Sequence, residues 1–271
     1  MITFSKLGRY GAIGNQLFQY ATLYAIAKKN NYKVKIPYNV EEYFLIETNR
    51  TFFYFKNAFK NILAEELTKE DEKNILHNVN WPHLLFNQNV LDIEDFSDLE
   101  GYFQSYKYFN NIEGDLKNQF IFKDEILKSI YSKYSLNFED FCAIHLRCGD
   151  YIGKENHHPI MDKNYYQKAV SIINDKKYLI FSDSTDKAKE VFSSFNGLDI
   201  IYIEDNHPFE DLCMMSLCSD NIIANSTFSW WSAWLNKNNN KRVIAPTNWL
   251  GPAYANTWNI EDIIPKNWIT I

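Results

Sequence analysis

At 271 residues and a formal net charge of −6, the chain can build one large α/β domain or two small ones, and it has no global basic surface to draw it to nucleic acid. Aromatic residues make up 17% of it, an excess that reads first as a heavily packed core and also suits stacking on sugar rings. The cysteines Cys142, Cys148, Cys213 and Cys218 form no C-x-x-C pair and no zinc spacing, so they read as buried thiols in a reduced, cytoplasmic setting.

Met1–Lys6 is a short apolar strand candidate. Ser5, Lys6 and Arg9 interrupt the start before any apolar region develops, so no secretory signal is expected, and no later run approaches the roughly 20 apolar residues of a membrane helix. The Gly-rich stretch Gly8–Gly14 follows, with glycines at 8, 11 and 14 that do not match a dinucleotide fingerprint. From Asn15 a helix is predicted to about Asn30, with Leu17, Ala21, Tyr24 and Ala25 at helical spacing and Lys28 and Lys29 at its end. Tyr32, Val34 and Ile36 then alternate with lysines, as in a half-buried strand stopped by Pro37. Between about 38 and 137 aromatics mix with Asn, Glu and Lys, helical stretches are predicted near 64–75 and 111–133, and no chemical signature stands out.

The second half alternates apolar runs with helical stretches. The runs are Phe141–Leu146, Tyr178–Phe181, Asn221–Ala224 and Arg242–Ala245, and the helices fall near 164–174, 186–196 and 209–218. Such βα alternation implies a mostly parallel, doubly wound sheet, whose ligand sits beyond the carboxyl ends of its strands. The polar residues that follow each run are therefore the candidates.

After the first run comes His145-Leu146-Arg147-Cys148-Gly149-Asp150-Tyr151. In a strand His145 and Arg147 share a face, and an arginine fork matches a phosphate bidentately. The same residues also read as a structural Arg–Asp pair beside a core histidine. After the second run, Ser182-Asp183-Ser184 can meet a ribose or base edge, or simply cap a helix. After the third, Ser226, Thr227 and Ser229 open a helix whose N–H groups and positive end suit a diphosphate, with Trp230, Trp231, Trp234 and Leu235 in the core. Gly14-Asn15-Gln16 occupies a comparable helix start near the N-terminus. No D-x-D pair is present for a nucleotide-bound metal, His157-His158 reads as a loop, and no nucleophile elbow or P-loop appears.

Taken in order, these segments resemble glycosyltransferase family 11, the α-1,2-fucosyltransferases. The resemblance is carried by Gly14–Ala21, His145–Tyr151, Phe181-Ser182-Asp183, and Glu210-Asp211-Leu212 running on through Asn225–Leu235, with Val243–Pro246 and Asp262–Trp268 in support. It implies an α/β, GT-B-like fold of two facing Rossmann-type domains with mostly parallel sheets. The expected acceptor-side domain, carrying the Gly14-Asn15-Gln16 loop, is 1–140; the GDP-sugar domain is 141–271, with a C-terminal segment able to pack back on the first. The implied reaction is inverting transfer of L-fucose from GDP-β-L-fucose to a hydroxyl, the 2-OH of a terminal galactose in an oligosaccharide or glycolipid precursor, with no cofactor or metal. The alternatives are another GDP-deoxysugar such as GDP-colitose, or a silent nucleotide- or carbohydrate-binding protein.

By the same resemblance His145 and Arg147 belong to the diphosphate site, Ser226 and Thr227 to the phosphate-binding helix start, Asp183 to the nucleoside side, and Asn15 to the sugar-facing loop; Gly14, Gln16 and Ser229 stand beside them as donor-binding candidates. Arg147 and Asp150 are the expected catalytic residues, with Glu155 and His157 behind Asp150 as general base. The chain departs from the family pattern at Cys148, where a second arginine is usual, at Ser184, where a second Asp is usual, and in a first glycine loop lengthened by Gly11-Ala12-Ile13.

Overall fold

The computed structural model describes residues 1–9, 11–45, 50–174, 176–254 and 258–271; Tyr10, within the predicted glycine loop, lies outside them. The chain divides into two units, Met1–Ile121 with Trp258–Pro265, and Phe122–Thr257 with Lys266–Ile271. The expected boundary at 140 therefore moves back to 121. The helix that precedes the first apolar run packs on a helix of the second unit, and this places it there.

In the first unit, β1 (Ile2–Thr3) leads through the glycine loop into α1 (Ile13–Asn30) and back to β2 (Val34–Ile36). The helix is buried on nearly every side, ends on Lys28 and Lys29 against its negative pole, and stops at Asn31, whose left-handed backbone (φ 58°) returns its N–H to Ala27 O. A hairpin follows, β3 (Tyr43–Leu45) with β4 (Arg50–Phe52), then β5 (Glu65–Glu66), α2 (Lys69–Lys73), β6 (His77–Trp81), β7 (Ser97–Gly101) and α3 (Glu113–Gln119). The main sheet has the order β5-β2-β1-β7-β6, with every pair parallel.

The second unit contains α4 (Asp124–Lys133), β8 (Phe141–Leu146), α5 (Lys163–Ile173), β9 (Lys177–Ser182), α6 (Thr185–Phe192), β10 (Ile200–Ile203), α7 (Pro208–Leu217), β11 (Asp220–Ile222), α8 (Thr227–Leu235), β12 (Val243–Ala245) and β13 (Ile269–Thr270). Its strands lie in the order β10-β9-β8-β11-β12-β13, all parallel. Counted from β8 this is 3-2-1-4-5-6, the doubly wound order whose direction reverses between β8 and β11. Every residue of β8 is buried. Cys142, Ile144, Leu146 and Cys148 enter one apolar cluster with Tyr165, Tyr166 and Phe192, so Ala143, His145 and Arg147 face the other side. That alternation fixes which side chains can reach a ligand.

Candidate functional site

Between β8 and β11 the topology opens a crevice beyond the carboxyl ends of the strands. The polar segments predicted at strand ends fall there. In register, Leu146 lies beside Ser182, and Ile144 beside Ile222. Arg147, Asp183 and Asn225–Thr227 therefore leave three adjacent strands at one edge.

Arg147 is 7% exposed. Its Nη2 donates to Asp150 Oδ1 at 2.5 Å and its Nη1 sits 2.9 Å from Asp183 Oδ2. Its Nε–H is buried without a partner. Burial alone lowers the guanidinium pKa, but the two carboxylates outweigh it and hold the group charged. Asp183 Oδ1 accepts from Cys148 N (3.0 Å) and Gly149 N (3.1 Å). Burial raises the Asp183 pKa, and Arg147 with these two N–H groups more than reverses it, so the carboxyl stays ionised. A Cβ at Gly149 would lie 2.8 Å from Asp183 Oδ2, so only glycine lets the carboxylate approach this turn. Asp183, expected on the nucleoside side, uses both oxygens to organise the Arg147 turn.

Tyr151 closes the arrangement. Its ring lies 5.4 Å from the Arg147 guanidinium and stacks on His158 at 4.9 Å, and its hydroxyl donates to Asn225 O at 3.1 Å. Burial, against an opposing pull from Asp150, shifts His158 toward the neutral form. Asn225 gives its Nδ2 to Pro159 O and Trp249 O, and its buried Oδ1 has no partner. Neither Tyr151 nor Asn225 was singled out from sequence, though both lie inside the motifs that were.

Ser226 caps α8, accepting from Phe228 N at 3.3 Å, which leaves its own hydroxyl hydrogen to donate. Thr227 is half-buried at the first helical position, where backbone N–H groups lack helical acceptors. Ser229 is fully buried and its hydroxyl donates back to Ser226 O (3.3 Å) and Ala224 O (3.5 Å), bracing the start of the helix. His145 is 4% exposed, with its ring 5.8 Å from that of Phe228.

Of the other base candidates, Glu155 is exposed and the N–H groups of Gly153 and Glu155 itself hold its carboxyl below the ordinary range. His157 is exposed beside Tyr254. In the first unit Gly14 lies inside the first turn of α1, and Asn15 Oδ1 accepts from Gln104 Nε2 at 2.9 Å. Gln16 is fully buried, donates to Gly11 O and Phe53 O, and accepts from Phe55 N, so its amide is consumed in fixing the loop.

The Glu210-Asp211-Leu212 segment holds a further acid to which the sequence assigns no task. Asp211, in the first turn of α7, has its pKa pushed up to about 7 by burial against the bond from Asn206, with Glu210 adding to the rise and Lys133 opposing it. Its Oδ1 has no partner. Arg242, by contrast, is tied to Asp220 through Nε (3.2 Å) and Nη2 (3.1 Å) and is structural. Among the described residues no group of three His, Cys, Asp or Glu is placed to hold a metal ion, and no helix is long and apolar enough to cross a membrane.

The family model of glycosyl transferase family 11 matches residues 5–271. The chain is 30% identical to the O-antigen biosynthesis glycosyltransferase WbnK of Escherichia coli, over 89% of this chain and 93% of that protein. It is 25% identical to an alpha-1,2-colitosyltransferase of Escherichia coli, over 96% of each. Among solved structures, POFUT1 in complex with GDP is similar over 90% of this chain and 97% of that one, with a TM-score of 0.54 at 14% identity. The two parallel α/β units are of the GT-B class.

Proposed function

The chain belongs to glycosyl transferase family 11, and on that premise we propose that it moves L-fucose from GDP-β-L-fucose to a hydroxyl of a glycan, the 2-OH of a terminal galactose, with inversion and without a metal. The observation that carries this reading is Arg147: a buried, charged arginine with an unpartnered Nε–H, at the reversal point of a doubly wound sheet, beside the start of α8. A buried donor without an acceptor suits a ligand oxygen, and a diphosphate supplies several.

In the proposed step the acceptor oxygen forms a bond to C1 of the sugar as the bond from C1 to the β-phosphate oxygen breaks. The bonding pair leaves with GDP, and the hydroxyl proton passes to Asp150 or to water. Charge developing on the β-phosphate is met by Arg147, the N-terminus of α8 and the Ser226 hydroxyl, in place of a metal ion. Asp183 and Asp150 keep the guanidinium plane in position. Asp211 offers a carboxylate to ligand N–H groups at the same strand edge, and guanine presents two.

A second reading keeps the site and changes the sugar: the alpha-1,2-colitosyltransferase relative supports GDP-colitose as donor. The test is a panel of GDP-fucose, GDP-colitose and UDP-sugars against β-galactosides, with linkage analysis of the product and EDTA controls. Transfer from GDP-fucose, insensitive to EDTA and α-1,2-linked, is the expected result; transfer from UDP-sugars alone would overturn the proposal.

A further inference from the structure

The paired register of β8 and β11 ends at Ile144 and Ile222. Beyond it the two chains part: Cys148 and Gly149 turn toward Asp183 at the end of β9, and Asn225 leads into α8. The parting opens the crevice, and it also ends the strand pairing that fixes one side against the other. Asp183 and Asp150 orient the Arg147 guanidinium from the β9 side and from its own turn. The span from that guanidinium to the start of α8 needs a separate tie.

Tyr151 supplies one. Its N–H is held in the Arg147 turn by Cys148 O at 3.0 Å, its ring passes 5.4 Å from the guanidinium, and its hydroxyl donates to Asn225 O at 3.1 Å. Asn225 is 3% exposed and directly precedes Ser226, which caps α8. Its own amide donates to Pro159 O at 3.0 Å and Trp249 O at 3.1 Å, so the carbonyl that Tyr151 grips belongs to a fixed residue. The phenol ring is steadied in turn. His158 lies against it, 4.9 Å between centroids and 21° between planes, and Tyr254 packs on His158 at 5.8 Å. Gly251 N to His157 O and Ala253 N to Asn156 O, both 2.9 Å, join the two segments that carry these rings. A Cβ on Gly251 would stand 2.3 Å from Asn156 O, so the segments meet at backbone distance.

We propose that Tyr151 is a positioning residue for sugar transfer, fixing the span between the Arg147 guanidinium and the start of α8, with His158 as the plate that steadies its ring. The inference rests on reading this strand edge as the diphosphate site. A bound diphosphate can settle on either set of donors alone. The charge that builds on the leaving phosphate is met in full only when both sets already stand at the right separation, because fixed donors need no rearrangement as the bond breaks. Loss of the tie therefore falls on kcat more than on donor affinity.

The experiment compares wild type with Tyr151→Phe, His158→Ala and His158→Phe, using whichever GDP-sugar the wild type transfers. Tyr151→Phe, which keeps the ring and its stack, should lower kcat about 10- to 100-fold. Its GDP affinity by calorimetry should change less than about threefold. His158→Ala should behave alike, and His158→Phe should recover most of the loss. Hydrogen exchange without ligand gives a readout free of turnover: amides 226–229 should exchange faster in Tyr151→Phe, with the melting curve unchanged. Wild-type kcat in Tyr151→Phe or His158→Ala, equal losses in kcat and GDP affinity, or unchanged exchange at 226–229 would overturn the proposal. If the wild type transfers no GDP-sugar, the transferase reading fails instead, and the exchange comparison still tests the tie.

Discussion

Asp183 holds Arg147 through Oδ2 at 2.9 Å while its Oδ1 takes the N–H groups of Cys148 and Gly149. One carboxylate from the end of β9 thus fixes both the cation at the end of β8 and the backbone turn that follows it. The guanidinium is held in a set plane, with its buried Nε–H unpartnered.

Arg147→Lys should keep the charge and the fold but lose the planar fork. Turnover should fall by about 10²–10³-fold, with circular dichroism unchanged. Arg147→Ala should be worse on both counts, because it leaves Asp150 and Asp183 buried together without their cation, a loss of about 3–5 kcal/mol of stability. Near wild-type turnover in the lysine variant would remove Arg147 from the chemistry.

Gly149→Ala should push the Asp183 carboxylate out of its place, since the added Cβ would stand 2.8 Å from Oδ2. The expected outcome is a GDP affinity lowered about tenfold by calorimetry, matched by Asp183→Asn. Unequal effects in the two variants would separate the turn from the carboxylate.

Asp150→Asn distinguishes two tasks. As proton acceptor Asp150 should, when neutralised, cut kcat far more than GDP affinity. A parallel loss in both would make it a positioning residue for Arg147.

Asp211 predicts a pH signature. Its carboxyl titrates at about 7 in the folded protein and near 4 when unfolded. The folded state therefore holds the extra proton between those values, and this contribution to stability is lost as pH rises through 7. Asp211→Asn should remove the loss, so that its stability gain over wild type grows between pH 5 and pH 8 to on the order of 1–3 kcal/mol. If the ionised carboxyl receives ligand N–H groups, wild-type GDP affinity should rise over the same range and the variant's should not. Parallel pH profiles for the two proteins would refute the assignment.

Much of the second unit was legible because buried parallel strands read as plain apolar runs: Phe141–Leu146 matches β8 end to end. Strands β6 and β7 gave no such signal. Their residues, His77–Trp81 and Ser97–Gly101, are largely polar, and β6 lies at a sheet edge with much of its length exposed. The helical region predicted over 111–133 is broken between α3 and α4, where Phe120 and Phe122 turn into the core.

In the site, the face shared by His145 and Arg147 followed from strand periodicity alone. The tasks of Asp183, Gln16 and Ser229 did not, because each is set by partners or burial that only the fold supplies. Cys148 shows the same limit. Sequence comparison marks it as a missing arginine, yet its side chain is fully buried with Tyr166 and Phe192, on the face opposite Arg147. An arginine here could not occupy that place, so the difference reaches the core as well as the charge.

The last fourteen described residues belong to both units: Asp262 accepts from Phe86 N and pairs with Lys107 in the first, and β13 adds to β12 in the second. During synthesis neither unit can complete its packing until this stretch has left the ribosome, so the two halves should acquire protease resistance together and late. For the same reason a chimaera that exchanges a single contiguous half for that of a relative would carry a mismatched piece into each unit.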